Sequence, residues 1–310
     1  LMRYLIGGVW VTRAPLNTSE CYGTKQNSTF SMLPIQKIEY SIAMLKKAES
    51  LALSMDERGF HLAFSGGKDS QVLYHLAKMV GVKFHAEMQI TTLDPPELMR
   101  FVRAQYPDVK KNLPKMNFYN LIKKNGILPM RQIRYCCRIL KEFAGDGSVK
   151  LLGIRAAESV KRAKRNEVEI NGVKGGGDVI DQFNISKEIT HECNTGKDVI
   201  LISPILKWSD ADVWNFIRGY NIPYCELYDK GFHRIGCLFC PMASPRVKEL
   251  QRKMYPGVER EIKKSIQWLI DNRGYMSDHN ATADEVFDWW CSNKSTKQYF
   301  GMLRNQMKMF

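Results

Sequence analysis

Residues 64–77 read FSGGKDSQVLYHLA. A short apolar run, 61–64, leads into this stretch, and residues 71–80 carry apolar positions at helical spacing. Two adjacent glycines cost backbone entropy and bury nothing, so the junction calls for bare main chain. A strand that feeds a helix through such a turn aims main-chain N–H groups at the helix N-terminus, where the peptide dipoles sum to roughly half a positive charge. Gly66 and Gly67 let those groups face an anion. Ser65 and Ser70 add hydroxyl donors, Lys68 a mobile cation, and Asp69 either a helix cap or a carboxylate for Mg²⁺. The plainer reading is a turn with glycine for geometry alone. A lone Gly-Gly would not rise above it; the whole Ser-Gly-Gly-Lys-Asp-Ser between a strand and a helix is far more specific. It is not a Walker A loop, which needs G-x-x-x-x-G-K-[ST].

Outward from this loop the pattern alternates. Helices are predicted over 35–53, 71–80, 95–105 and 210–219, and strands over 61–64, 82–90, 150–154 and 199–202. This alternation predicts an α/β fold with a doubly wound parallel sheet, whose ligands collect at the carboxyl ends of the strands. From residue 245 the pattern becomes helical, over 247–254 and 258–271, and Thr282-Ala-Asp-Glu285 is a capping box that opens a last helix through Trp289 and Trp290. Three regions are expected: an extension over 1–31, a nucleotide-binding domain over 32–244, and a C-terminal helical region over 245–310. Residues 164–196, with Gly175-Gly176-Gly177, read as a polar, strand-poor, mobile loop.

The composition of the 310 residues, 44% hydrophobic and 25% charged, is that of a soluble globular protein. No apolar run is long enough to span a bilayer, so no membrane partner is expected and the cytoplasm is the expected compartment. The formal charge of +14 favours an anionic partner: a nucleotide, DNA or RNA, or a sulfate-like anion. Of eight cysteines, four fall in two tight pairs, Cys136-Cys137 and Cys237-Leu-Phe-Cys240. In a chain this long, such pairs suggest a reducing compartment and a metal rather than a disulfide framework. Cys-x-x-Cys alone suits zinc, a redox disulfide or an iron–sulfur cluster. Adjacent cysteines diverge, which is awkward around one tetrahedral ion and easier around a [4Fe–4S] cluster with an iron for each sulfur.

Arg155 and Arg162 follow the predicted strand 150–154, where planar guanidinium groups can grip phosphate or sulfate, and Glu158 can orient one of them. Trp208 and Trp214 read as packing residues, and the Asp210/Asp212 pair as a cap for the helix that follows.

The Ser-Gly-Gly-Lys-Asp-Ser loop resembles the PP-loop of ATP pyrophosphatases, which cleave ATP between the α- and β-phosphates. Gly153-Ile-Arg155-Ala-Ala-Glu158-Ser159-Val-Lys-Arg162 is similar to the Gly-x-Arg-x-x-Glu-Ser-x-x-Arg of the phosphoadenosine phosphosulfate (PAPS) reductase family. Pro204-Ile-Leu-Lys-Trp208-Ser-Asp-Ala-Asp212-Val-Trp214 is similar to its Pro-[ILV]-x-x-Trp-[ST]-x-x-Asp-Val-Trp. Thr91-Thr-Leu-Asp94-Pro-Pro-Glu97 is like its Thr-Gly-x-x-x-Pro-Glu, with the glycine missing. With Arg134-Tyr-Cys-Cys-Arg-Ile-Leu-Lys141 and Gly236-Cys-Leu-Phe-Cys-Pro241, the likeness runs from about residue 36 to 244.

The resemblance implies an adenine nucleotide alpha hydrolase-like fold and an enzyme that adenylylates an acceptor with ATP and Mg²⁺ for sulfur transfer. The branch favoured is DndC-like, with DNA as acceptor and a separate sulfur donor such as a cysteine desulfurase. It implies catalytic roles for Lys68, Asp69, Arg155 and Arg162, and nucleotide contacts from Ser65, Gly66, Gly67, Lys68, Asp69, Ser70, Asp94 and Glu158. It further implies a [4Fe–4S] cluster, with zinc as the alternative, on Cys136, Cys137, Cys237 and Cys240. Arg138, Lys141 and Arg234 would offset the cluster's charge, and His233 reads as a surface or supporting residue. Reductases of the family attack sulfate sulfur with a cysteine in a C-terminal Glu-Cys-Gly-Leu-His type segment. Here the last residues, YFGMLRNQMKMF, hold no such cysteine, and Cys291 in DWWCSNK reads as packing. An adenylyl sulfate or phosphoadenylyl sulfate reductase is therefore the alternative, and a non-catalytic nucleotide- or DNA-binding subunit the third.

Overall fold

The computed structural model describes residues 2–6, 9–13, 33–141, 147–170 and 200–307. In chain order the elements are β1 (Met2–Ile6), β2 (Val9–Arg13), α1 (Ile35–Met55), β3 (Phe60–Ala63), α2 (Lys68–Val80), β4 (Phe84–Gln89), α3 (Pro96–Gln105) and β5 (Lys110–Asn112). Then follow α4 (Phe118–Asn125), α5 (Tyr135–Leu140), β6 (Lys150–Leu151), α6 (Val160–Ala163), β7 (Val168–Ile170), β8 (Ile200–Ile202) and α7 (Asp210–Gly219). Last come α8 (Pro245–Met254), α9 (Pro256–Arg273), α10 (Ala283–Ser292) and α11 (Thr296–Met307).

Strands β1 and β2 form an antiparallel pair, Met2 opposite Arg13. The other six make one sheet in the order β5-β4-β3-β6-β8-β7. The β3–β4, β3–β6 and β6–β8 pairs are parallel, as expected of an α/β chain. The edge strand β7 runs antiparallel to β8. It lies at the start of the stretch expected to be strand-poor; three residues, Val-Glu-Ile, are too few to show a period in sequence. Gly175, Gly176 and Gly177 lie outside the described residues. Strand order runs outward from β3 in one direction to β4 and in the other to β6. The carboxyl ends of β3 and β6 therefore flank the point where the winding reverses, the place where open sheets bind ligands.

The chain divides into two compact units. The first is Leu1–Met88, Phe101–Lys110 and Gly145–Cys225, and the second is Gln89–Arg100, Lys111–Ala144 and Glu226–Phe310. In the first, α1 buries Ile38, Ile42, Leu45, Ala48 and Ala52, the three- and four-residue spacing of one helix face, and packs on α2. Beneath them Phe60 and Leu62 of β3 and Val72, Leu73 and Leu76 of α2 are fully buried. Trp208 is buried as expected, its indole N–H donating to Ser41 Oγ at 3.1 Å while Ser41 donates to the Pro204 carbonyl at 2.7 Å. Trp214 is half-buried against Tyr224. In the second unit, α9 packs on α4 and α10, burying Ile262, Ile266 and Leu269 with Val286 and Phe287. Helix α10 opens on the expected capping box, with Thr282 and Glu285 each accepting from the other's main-chain N–H. No described helix is long and apolar enough to cross a membrane.

Candidate active site

The loop between β3 and α2 is built from its own short side chains. Gly66 takes φ +71°, a conformation costly to any residue with a Cβ. Gly67 is the N-cap of α2 and brings no side chain to the first-turn N–H groups, so this end of a 13-residue helix has no side-chain cap from its N-cap residue. Ser70 donates to the Gly67 carbonyl at 2.9 Å, and its hydroxyl oxygen accepts from Ser65 N–H at 3.2 Å. The Ser65 and Ser70 hydroxyls lie 3.1 Å apart. Gln71, absent from the sequence-predicted site, is fully buried and holds the loop from below: its Nε2 donates to the Gly66 carbonyl at 2.9 Å. Its Oε1 is buried with no hydrogen-bond partner.

Four charged residues from three distant segments close into one network beside the loop. Lys68 Nζ lies 3.1 Å from Asp210 Oδ1 and 3.6 Å from Asp69 Oδ2. The Arg155 guanidinium donates through Nε to Asp69 Oδ1 at 2.6 Å, through Nη2 to Asp210 Oδ1 at 3.0 Å and through Nη1 to the Trp208 carbonyl at 3.5 Å. The two cations and two carboxylates balance. Burial works to raise the pKa of Asp210, but Lys68 and Arg155 outweigh it and hold the carboxyl below its usual range.

Three expectations change here. Lys68 is a buried, ion-paired residue, 3% exposed, rather than a mobile cation. Asp210 does not cap α7. Ser209 does, its hydroxyl accepting from Asp212 N–H while Asp212 accepts from Ser209, and Asp210 is thereby left to bridge Lys68 and Arg155. Asp69 does not cap α2: one carboxylate oxygen takes Arg155 and the other faces Lys68.

Arg155 and Gly153 come from the segment after β6. A Cβ on Gly153 would stand 3.0 Å from the Asp69 carbonyl carbon and the Ser70 nitrogen, so glycine lets this segment lie directly against the first turn of α2. Glu158 accepts from the Arg155 main-chain N–H at 3.1 Å and pairs with Arg162. Arg162 is partly exposed, 27%, unlike Arg155 at 3%. The first unit thus brings together Ser65, Gly66, Gly67, Lys68, Asp69, Ser70 and Arg155, with Glu158 tying Arg162 to the Arg155 main chain.

Asp94 and the two cysteine pairs belong to the second unit. The Asp94 carboxylate folds back on its own turn and accepts from Thr91 N–H at 2.6 Å. Thr92 takes φ +64° at the position where the related motif has glycine, and its hydroxyl accepts from Phe118 N–H at 2.9 Å. From the same turn, the Leu93 carbonyl receives Leu238 N–H at 2.7 Å, which anchors the Cys-x-x-Cys loop. Phe239 N–H donates to the buried Gln251 side chain at 2.8 Å, and Arg131 Nε donates to the Pro241 carbonyl at 3.2 Å.

Cys136 and Cys137 lie on α5. A hydrogen bond to Cys137, burial and the charges of Cys240 and Cys237 together push the Cys136 thiol up. Burial, then Cys237 and Cys137, also act on Cys240. The four sulfurs therefore share one neighbourhood, and none of them is in a disulfide. The Lys141 ammonium joins them, hydrogen-bonded to Cys237 with Cys137 and Asp94 nearby. Arg138, His233 and Arg234 are exposed. Cys291 is buried on α10, and burial pushes its thiol up to about 12.

The model of the phosphoadenosine phosphosulfate reductase domain matches residues 59–243, more than half of the chain. An uncharacterized protein of Methanocaldococcus jannaschii is 32% identical over 236 residues, covering 71% of this chain and 52% of that one. An adenosine 5'-phosphosulfate reductase of Bacillus subtilis is 24% identical over 209 residues, covering 64% of this chain and 79% of that one. A probable FAD synthase of Caenorhabditis briggsae is 27% identical over 203 residues, 63% of this chain and 33% of that one. The chain spans about half the length of the Methanocaldococcus relative. The chain therefore belongs to the phosphoadenosine phosphosulfate reductase family.

Proposed function

We propose that this protein binds an adenine nucleotide on the loop 65–70 and transfers its adenylyl group to an acceptor, releasing pyrophosphate, as the activating step of a sulfur transfer. One observation carries the reading. The α2 N-terminus opens on a glycine cap beside the Ser65 hydroxyl, with Ser70 bonded to the Gly67 carbonyl and the Lys68–Asp69–Arg155–Asp210 network alongside. An acceptor oxygen attacks the α-phosphorus, the bond to the β-phosphate breaks, and the leaving pyrophosphate gathers charge at the helix dipole and the Ser65 hydroxyl. Arg155, buried and bonded to protein acceptors through Nε, Nη1 and Nη2, positions Asp69 and Asp210. Arg162 is the more exposed guanidinium and the better placed to meet an incoming anion. Asp69 and Asp210 are engaged by cations, so they do not make a Mg²⁺ site as they stand. Mg²⁺ would be supplied with the nucleotide and would offset phosphate charge there.

The two cysteine pairs suit a [4Fe–4S] cluster. The four thiols are unbridged, Cys136 feels the charges of Cys137, Cys240 and Cys237, and cationic Lys141 is hydrogen-bonded to Cys237. They do not form a set whose sulfurs all lie within 4.8 Å, as one tetrahedral ion would need. A bound cluster would supply a centre able to carry sulfide or electrons. DNA or RNA is the acceptor class that the charge of +14 favours, in keeping with the DndC-like branch, and a cysteine desulfurase is the donor class.

The adenosine 5'-phosphosulfate reductase relatives support a second reading, reduction of a sulfonucleotide. It requires a nucleophilic thiol other than the buried Cys291. ATP–pyrophosphate exchange, measured on anaerobically purified protein with and without candidate acceptors, decides. Exchange that is lost in Gly67→Val supports adenylyl transfer. Sulfite formed from adenylyl sulfate and a thiol, with no exchange, overturns it.

A further inference from the structure

On the β3–β4 pair, outside the loop 65–70, three ligating side chains converge on one face. His61 of β3 lies in direct register with His85 of β4, and Glu87, two residues on, shares the face of His85. Glu87 stands opposite Ala63, whose small side chain leaves room beside the two rings. His61 Nδ1 and His85 Nε2 are 3.2 Å apart, and one ligand atom from each of the three residues falls within a 4.8 Å set. Among the described histidines, cysteines and carboxylates this is the one such group.

We propose that His61 Nδ1, His85 Nε2 and the Glu87 carboxylate form a divalent transition-metal site, fitted best to Zn²⁺, that pins β3 to β4. With Zn–N bonds of about 2.0–2.1 Å, two tetrahedral ligands stand roughly 3.3 Å apart, close to the observed nitrogen separation. A rotation of the Glu87 side chain brings in the third ligand, and the fourth position is left to water at the partly buried His85 and Glu87.

The competing arrangement is a plain hydrogen bond between two neutral rings. With His61 donating, that bond places the His85 proton on Nδ1, beside the Arg58 backbone, which is the same tautomer that metal on Nε2 requires. Glu87 separates the two arrangements: a bond between two rings has no use for a third ligand atom on this face, and a metal ion does. Burial favours the neutral, ligating form of His61 and His85. The charged groups facing the site are Arg58, which is held by Asp56, Lys150 beside His61, and Lys110, 3.4 Å from Glu87. Lys110 lies against the Glu87 carboxylate, and at 67% exposure it can swing into solvent when the carboxylate takes a metal.

The test is Zn²⁺ binding to the full-length chain, purified anaerobically, with bound equivalents counted by equilibrium dialysis. A Co²⁺ titration in parallel separates nitrogen and oxygen ligation from thiolate ligation by the absence or presence of near-ultraviolet sulfur charge-transfer bands. Wild type should hold one equivalent more than His85→Gln, and Glu87→Gln should weaken that equivalent ten- to a hundredfold. The matching Co²⁺ equivalent should show ligand-field bands without thiolate charge transfer. Glu87→Gln keeps shape and hydrogen-bonding capacity, so it decides the matter even if His85→Gln fails to fold. Equal stoichiometry and affinity in wild type and Glu87→Gln, or Co²⁺ bound through thiolate alone, overturns the site.

Discussion

Replacing Gly153 with alanine sets two effects of opposite sign against each other. The backbone of Gly153 is not in the left-handed region. Without other contacts, alanine would stabilise the protein by about 0.4–1 kcal/mol through a less free unfolded chain. The added Cβ, however, meets the Asp69 carbonyl carbon and the Ser70 nitrogen at 3.0 Å and the Asp69 oxygen at 3.1 Å. Comfortable contact needs about 3.5–4.0 Å, so something must retreat by roughly half an ångström. All three atoms are main chain in the first turn of α2, and no flexible side chain can absorb the shift. Overpacking of this kind costs about 1–3 kcal/mol, which set against the entropic gain leaves a net loss of about 0–2.6 kcal/mol. The displacement falls on the proposed phosphate-binding turn, where a 1 Å error costs on the order of a hundredfold in rate and half of that roughly tenfold. Urea unfolding gives the first quantity, and pyrophosphate exchange together with nucleotide affinity gives the second. A Gly153→Ala protein that is more stable than wild type and binds nucleotide equally well would refute the close approach of the two segments.

Arg155→Met should cost about 1–3 kcal/mol in urea unfolding, because the mostly buried Asp69 loses its strongest partner, whereas Asp210, 63% exposed, keeps Lys68 and water. Arg162→Ala, which breaks a partly exposed pair one helical turn apart, should stay within about 0.5 kcal/mol of wild type while weakening nucleotide binding. His75 is held neutral by burial, its pKa lowered from 6.5 to about 4. The unfolded chain therefore takes up this proton first as pH falls. Stability is full above about pH 6.5, declines by about 1.4 kcal/mol per pH unit toward pH 4 and is flat below. Urea midpoints at stepped pH should show this slope in wild type and a shallower one in His75→Gln. Cys137→Ser should lower iron and acid-labile sulfide in anaerobically purified protein; unchanged iron and sulfide would count against a cluster on these thiols.

The loop was legible in sequence because its chemistry is local: six consecutive residues carry the turn, the hydroxyls and the helix start. The sheet was legible for the same reason, although strands read over 82–90 and 150–154 settle to Phe84–Gln89 and Lys150–Leu151. What joins distant segments was not legible. Asp210 looks like half of a capping pair until Ser209 is seen to hold the cap, and only the fold brings it to Lys68, 142 positions earlier. Arg155 reads as an anion grip because its motif does, yet its partners, Asp69 and the Trp208 carbonyl, are supplied by topology. Thr92 in place of glycine looked like a departure from the motif. The backbone keeps φ +64° there, and a threonine hydroxyl bonded to Phe118 N–H offsets the strain. Helix α4 carried a usable signal that went unread, Asn117, whose side chain accepts from Asn120 N–H as N-cap.

The most direct test of the proposed nucleotide site is a crystal structure with a non-hydrolysable ATP analogue and Mg²⁺. Phosphate oxygens within hydrogen-bond distance of the Ser65 hydroxyl and the first-turn N–H groups of α2 are the predicted result. Phosphates bound away from residues 65–70, with the glycine turn facing only solvent, would contradict it.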